Sequence, residues 1–288
     1  MAQTKEIRKK IGSVQNTKKI TSAMELVASS KMKKTQDAMS RGKPYSKKII
    51  ELIDSLSGAT SEYRHPFFNQ KDHNTDIYIV VGTDKGLCGG LNTNLFKLVL
   101  RNMQERNSQG RKVKVFLFGK KSADVFSRLK DVEVIGSAAK LGDIPSAEDV
   151  LSAAQIAINE FEEGDIGNVY LYANEFINTM SQSPFEKRIL PIASIEGKDA
   201  DKKVWDYIYE PSSKEILDLL LKRYIETQIY QAVIENNACE QAAKMIAMKN
   251  ASENAEEIIK ELQLLYNNAR QASITQELSE IVGGAAAI

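Results

Sequence analysis

SSKEILDLLLKRYIETQIYQAVIENNACEQAAKMIAMKNASENAEEIIKELQLLYNNARQASITQELSEIV, residues 212–282, contains neither proline nor glycine. At 1.5 Å per residue such a run makes one helix about 105 Å long. Ile225, Ile229, Ala232, Asn236, Cys239, Ala243, Ile246 and Asn250 recur at alternating spacings of four and three. After a slip of phase, Ala255, Ile258, Leu262, Leu265, Ala269 and Ala272 resume the pattern, and Ile274, Leu278 and Ile281 end it in a third phase. A 3.5-residue repeat is the seam of a coiled coil, and slips change its supercoil locally. Asp218–Lys222, Glu240–Lys244 and Glu256–Lys260 add pairs in the favourable order, each worth a few tenths of a kcal/mol. Ser212 or Ser213 after Pro211 supplies a start, and Gly283–Gly284 a stop.

The other end of the chain repeats the pattern more thinly. Ile7, Ile11 and Val14, then Ile20, Met24 and Val27, lie at helical spacing, and Gly12 is the only glycine or proline before Gly42. Ser, Thr and Ala fill the neighbouring positions, so this helix buries too little to stand alone and needs a partner. Charge points to that partner. Residues 1–48 hold 13 Lys and Arg against Glu6, Glu25 and Asp37, whereas 212–288 hold 7 basic and 11 acidic side chains. The near-neutral total of +1 conceals this division.

All six prolines and 13 of the 16 glycines lie between residues 42 and 211, so the middle folds differently. DIYIVVG (76–82), KVKVFLFG (112–119), Val132–Ile135 and NVYLYANEFI (168–177) read as strands, with further candidates at Lys187–Ile192 and Trp205–Tyr209. Leu91–Arg106, Ser122–Leu129 and Ser146–Glu162 read as helices between them. The alternation predicts a largely parallel, Rossmann-like α/β layer. The domains run 1–58, 59–211 and 212–288: an antiparallel coiled coil of the terminal helices with an α/β domain inserted. The first arm reaches roughly 80 Å, so the longer one overhangs by about 20 residues as a single helical tip.

Catalytic chemistry finds little support. GTDKGLCGGLN (82–92) sits between a strand and a helix but matches neither GxGxxG nor GxxxxGK[ST], so it reads as a tight structural turn more readily than a phosphate loop. His65 and His73 lack metal-ligand spacing and are expected at the surface. Cys88 reads as a small buried residue in a turn. Two cysteines make no disulfide framework and suit a reducing compartment. No run approaches 18 apolar residues, and MAQTKEIRKKIGSVQ has no apolar signal core, so a soluble cytoplasmic protein is the expectation. The basic arm has no aromatic residue before Tyr45, which disfavours nucleic acid against acidic protein loops.

Three blocks, KEIRKKIGSVQNTKKITSAMELVASSKMKK (5–34), TDKGLCGGLNTNLF (83–96) and KELQLLYNNARQASITQELSEIVGGAAAI (260–288), together with FINTMSQSP (176–184) and WDYIYEP (205–211), resemble the gamma-subunit family of bacterial F-type ATP synthases along nearly the whole chain. The resemblance implies a rotor shaft, one copy per complex, with no catalytic residue, metal or cofactor of its own. It implies alpha and beta subunits around the coiled coil, an epsilon subunit, a membrane rotor ring below, and a peripheral place on the cytoplasmic face of the inner membrane. By motif, Met24 would face an acidic loop of beta, with basic residues near it attracting that loop, and Arg8 and Lys9 would also contact beta. Arg270, Gln271, Thr275 and Glu277 would touch a beta loop, and Tyr207 and Glu210 the ring and epsilon.

Overall fold

Ile77, Tyr78, Ile79, Val80 and Val81 are all buried, as a central strand covered on both faces requires. They belong to the first strand of a computed structural model that describes residues 2–59, 65–71, 73–130, 132–163, 165–192 and 213–285. In chain order its elements are α1 (Ala2–Ala59), β1 (Thr75–Val81), α2 (Leu91–Ser108), β2 (Lys112–Phe118), α3 (Lys120–Phe126), β3 (Glu133–Ala138), α4 (Ala147–Glu163), β4 (Ile166–Phe176), β5 (Gln182–Leu190) and α5 (Ser213–Ala285). A 3₁₀ turn, Pro66–Phe68, precedes β1. The strand expected at Trp205–Tyr209 lies outside the described residues. By its internal contacts the chain divides into two units, residues 1–29 with 244–288, and residues 30–243.

In the larger unit the sheet order is β3-β2-β1-β4-β5. The first four strands run parallel and β5 pairs antiparallel with β4, with Tyr78 level with Val115 and Tyr170. Side chains alternate between two cores. Ile77, Ile79 and Val81 face α4 and α5, and Tyr78 and Val80 face α2 and α3. Helix α4 starts with a reciprocal cap: Ser146 N–H donates to Asp149 Oδ2 at 3.2 Å, and Asp149 N–H donates to Ser146 Oγ at 3.3 Å.

The same unit corrects the seam expected for α5. Ile225, Ile229, Ala232 and Val233 pack into the sheet's core with Val81, Phe118 and Ala173. The same cluster also holds Ile49 and Ile53 of α1, and polar ties to α1 come from Gln228, which donates to Ser46 Oγ, and Gln231, which donates to Met39 O. A Cβ on Gly42 would collide with the Gln231 carboxamide, so the two helices meet there through a missing side chain. Helix α1 continues through Pro44, which has no amide to give the preceding turn.

The smaller unit shows a second correction. The less exposed positions include Thr4, Ile7, Ile11, Val14, Lys18, Thr21, Glu25 and Ala28 on α1, and Met248, Ser252, Ala255, Ile259, Leu262, Tyr266, Ala269 and Ser273 on α5. Each set keeps 3.5-residue spacing, so α5 has no phase slip here. Thr21 and Ser252 share a hydrogen bond of 2.7 Å, and Lys18 Nζ reaches Glu256 Oε2 at 3.0 Å, which fixes an antiparallel register. The large apolar residues assigned to the seam from spacing, Ile20 (60% exposed), Val27, Ile258 and Leu265, lie outside it. Thr21, Ala28, Ser252 and Ala255 make the middle of the seam small and hydroxylated, and Ile7, Ile11, Val14, Ile259, Leu262 and Tyr266 make it apolar toward the end of α5. Of the expected intrahelical pairs, Glu256–Lys260 forms at 3.5 Å, whereas Asp218 pairs with His65 and Lys222 with Glu162. Among the described residues no helix is long and apolar enough to cross a membrane.

Candidate functional site

Two regions bear on function: the outer surface of the smaller unit, and the crevice at the carboxyl ends of β1 and β4. On the first, Arg8 and Lys9 are exposed and Met24 is half-buried. Arg270, Gln271, Thr275 and Glu277 are all exposed on α5, where Ser273 Oγ donates to Glu277 Oε1 at 3.3 Å and Ser279 Oγ to Thr275 O at 2.9 Å. Ile274, Leu278, Ile281 and Val282 are exposed between and beyond them, and Leu26 on α1 is 71% exposed. The segment thus carries an apolar stripe with polar groups set into it, which is the composition of a docking surface. Further along the pair, away from residues 270–282, runs a groove of about 800 Å³ whose lining includes Lys18, Lys19, Leu26, Ile259 and Lys260. Lys18 and Lys260 together hold the Glu256 carboxyl below its usual range, the hydrogen bond from Lys18 being the larger cause. Tyr207 and Glu210 lie outside the described residues.

The second region is where an α/β sheet of this kind holds a ligand. Helices α2 and α4 leave on opposite faces, which opens a crevice at the carboxyl ends of β1 and β4. Here α5 fills it. Asn236, fully buried, donates from Nδ2 to Gly82 O at 3.2 Å and accepts at Oδ1 from Asn174 Nδ2 at 2.8 Å. Cys88 and Leu91 from the glycine-rich turn pack on Cys239. The turn also spends its polar groups on itself. Thr83 Oγ1 donates to Lys85 O at 2.7 Å and accepts from Asn92 Nδ2 at 2.7 Å, and Asp84 Oδ1 accepts from Lys120 N–H at 3.0 Å. Gly119, at φ +82°, lies so close to this turn that a Cβ on it would sit 2.8 Å from Gly82 O. The reading of 82–92 as a structural turn is the one this geometry supports.

Cys88 is buried, as expected, and accepts a long hydrogen bond from Asn92 Nδ2. Burial pushes the Cys239 thiol well above its ordinary range and leaves it protonated and unreactive. His65 is not at the surface: it is 5% exposed, accepts Phe67 N–H on Nδ1 at 3.1 Å, and places Nε2 3.1 Å from Asp218. A proline and two phenylalanines follow it, and burying Phe67 draws the imidazole in with it. His73 is half exposed, 3.8 Å from Asp165.

Sequence reasoning missed two charged clusters. Arg111 grips the fully buried Asp76 through Nε at 2.8 Å and NH2 at 2.7 Å, and Asn168 donates to the same carboxylate at 2.9 Å. Arg106 bonds Tyr78 OH at 2.6 Å and Glu186 Oε1 at 2.6 Å while lying 3.6 Å from the centre of the Tyr170 ring. Burial pushes the Tyr172 phenol beside it upward. Alternation placed these polar groups on strands and a helix, but only tertiary pairing reveals them as ties between α2, β1, β4 and β5. Asn236 had a visible signal, a polar amide at an apolar seam position.

Comparison with known proteins follows from this geometry. A family model described as ATP synthase matches residues 3–288. The ATP synthase gamma chains of Legionella pneumophila strains Corby and Lens are each 52% identical over 292 aligned residues, which cover 100% of both chains. Among solved structures, a chain of the Tetrahymena thermophila mitochondrial ATP synthase central stalk and c-ring aligns with a TM-score of 0.60 at 22% identity, covering 81% of this chain and 99% of that one. A chain of the Euglena gracilis mitochondrial ATP synthase OSCP/F1/c-ring structure aligns with a TM-score of 0.68 at 17% identity, covering 99% and 94%. At those identities the structural likeness speaks for the fold.

Proposed function

Because the chain belongs to the gamma-chain family of ATP synthase, we propose that it is the central rotor shaft of that complex, coupling rotation of a membrane ring to ATP synthesis and hydrolysis in the alpha and beta subunits. It is a non-catalytic subunit, one copy per complex, and influences ATPase activity and proton flow only through its neighbours: alpha, beta, epsilon and the ring of c subunits. Its place is peripheral, on the cytoplasmic face of the bacterial inner membrane. The observation that carries this reading is the 52% identity to curated gamma chains along the full length of both partners.

The physics of coupling fits the surface described above. A shaft biases otherwise identical catalytic sites only if it touches them differently as it turns. The smaller unit is unequal around its circumference: Ile20, Leu26 and Val27 crown one helix, and Ile274, Leu278 and Ile281 the other. Within it Met24 faces an acidic loop of beta as a compliant apolar contact, basic residues near it attract that loop, and Arg8 and Lys9 also contact beta. Arg270, Gln271, Thr275 and Glu277 meet a second beta loop. Tyr207 and Glu210 form the contact with the ring and epsilon. The working parts are residues 1–58 and 212–288 as the coiled coil, and 59–211 as the α/β base.

Reconstitution tests the reading. Alpha and beta mixed with this chain regain sustained multi-site ATP hydrolysis, and the chain alone hydrolyses none. Full multi-site turnover by the complex with the chain omitted overturns it.

A further inference from the structure

Around Asn236 helix α5 is tied to the α/β domain by directional bonds on different sides of its circumference. Asn236 holds the turn after β1 through Gly82 O and the strand β4 through Asn174. One residue on, and so about 100° further round the helix, Asn237 Nδ2 donates to Gly142 O and Asp143 O, both at 3.2 Å, in the loop between β3 and α4. Glu235 Oε1 accepts Phe176 N–H at 3.2 Å, and Tyr230 OH donates to Pro145 O at 3.3 Å. The buried apolar neighbours, Ala232, Val233, Ile234, Ala238 and Cys239, make contact without direction.

We propose that Asn236 and Asn237 are positioning residues that fix the rotational setting of α5 in the α/β domain, so that torque passes between base and shaft without the helix rolling in its seat. A side chain ends about 5–6 Å from a helix axis, so a roll of roughly 30° moves it by about 3 Å. That displacement breaks a hydrogen bond outright. Packing of Ile225, Ile229 and Val233 in the core opposes the same roll by contact, and the amides add directional bonds to it. The amides are thus a key, and the loops 82–92 and 139–146 are its slot.

This inference rests on the rotor reading, and the experiment separates the two. The complete complex is reconstituted into sealed vesicles, and protons pumped per ATP hydrolysed are measured with each variant beside its unfolding midpoint. Asn236→Leu, which keeps asparagine's branching without its hydrogen bonds, lowers the pumping ratio by about threefold, and Asn237→Ala lowers it by about twofold. Val233→Ala, an apolar truncation one turn away, lowers the midpoint and leaves the ratio at the wild-type value. If Asn236→Leu does not assemble, Asn237→Ala at its half-exposed position decides. A wild-type ratio in assembled complexes of both asparagine variants, with only the midpoint lowered, overturns the proposal. Coupled pumping by a complex lacking the chain overturns the rotor reading instead.

Discussion

Two stretches of α5 share one backbone and one spacing yet live in opposite surroundings. From Leu217 to Ala242 the helix is enclosed, with Leu221, Ile225, Ile229, Ala238 and Cys239 at zero exposure. From Glu256 to Val282 no described residue is buried. The first stretch draws its stability from the sheet that surrounds it. The second has only a thin seam of Ile259, Leu262, Tyr266 and Ala269 toward α1 and keeps its larger apolar groups outside. Periodicity tells that a helix has a face; what covers the face is decided by the rest of the fold.

That contrast is open to attack at several points. Ile229→Ala should cost about 3 kcal/mol in denaturant unfolding of the isolated chain, because its cavity opens in a packed core. Leu278→Ala, a comparable truncation at a site 57% exposed, should change stability by less than about 0.5 kcal/mol. Equal losses at the two sites would erase the distinction. Arg270→Glu inverts the pattern of sensitivity: the unfolding midpoint stays put, while ATP hydrolysis by the reconstituted complex falls about tenfold as an outward charge meets the wrong neighbour. Unchanged hydrolysis would remove Arg270 from the contact surface.

Smaller effects probe the seam. Thr21→Val leaves the buried Ser252 hydroxyl without its partner and should lower stability by about 1 kcal/mol. Thr21→Val with Ser252→Val should recover most of that, and failure to recover would show that the hydroxyl pair is not what joins the helices there. Glu256 gives the finest test. Its carboxyl titrates below the usual range because of Lys18 first and Lys260 second. The native pair therefore contributes fully above the unfolded carboxyl's range and is lost as pH falls through the lowered native value. Lys18→Met should move the Glu256 titration upward in a carbon-detected NMR series. High salt should shift the wild-type value the same way, since the pair is exposed.

Much of the architecture was legible in residue order because it rests on local rules. Absence of breakers marked both long helices, and β1, β2 and β4 announced themselves as β-branched or aromatic runs ended by glycine or a polar turn. The seams were legible in part: Ile7, Ile11, Val14, Ala255, Leu262 and Ala269 lie where spacing puts them, whereas Ile20, Val27, Ile258 and Leu265 do not. In α1 the step from Val14 went to Ile20, whereas the heptad continues through Lys18 and Thr21. In α5 the residues Ile225, Ile229 and Ala232 have the expected period and share one core with the sheet and with Ile49 and Ile53 of α1. His65 was misplaced because its polarity was weighed without the Pro-Phe-Phe segment that carries it inward. The proposed contact surface was readable only through family likeness, since exposed side chains obey no packing rule that spacing can expose.

The helix in the crevice also sets the timetable by which the chain can mature on the ribosome. The five strands among the described residues have been synthesised by Leu190, yet one broad face of that sheet keeps Ile79, Phe118 and Leu171 under incomplete cover until Leu217–Val233 emerge. In that interval the nascent polypeptide shows the solvent a greasy, half-built layer, the state in which chains cluster and chaperones are recruited. A product truncated near residue 200 should accordingly precipitate, although its sheet is complete on paper.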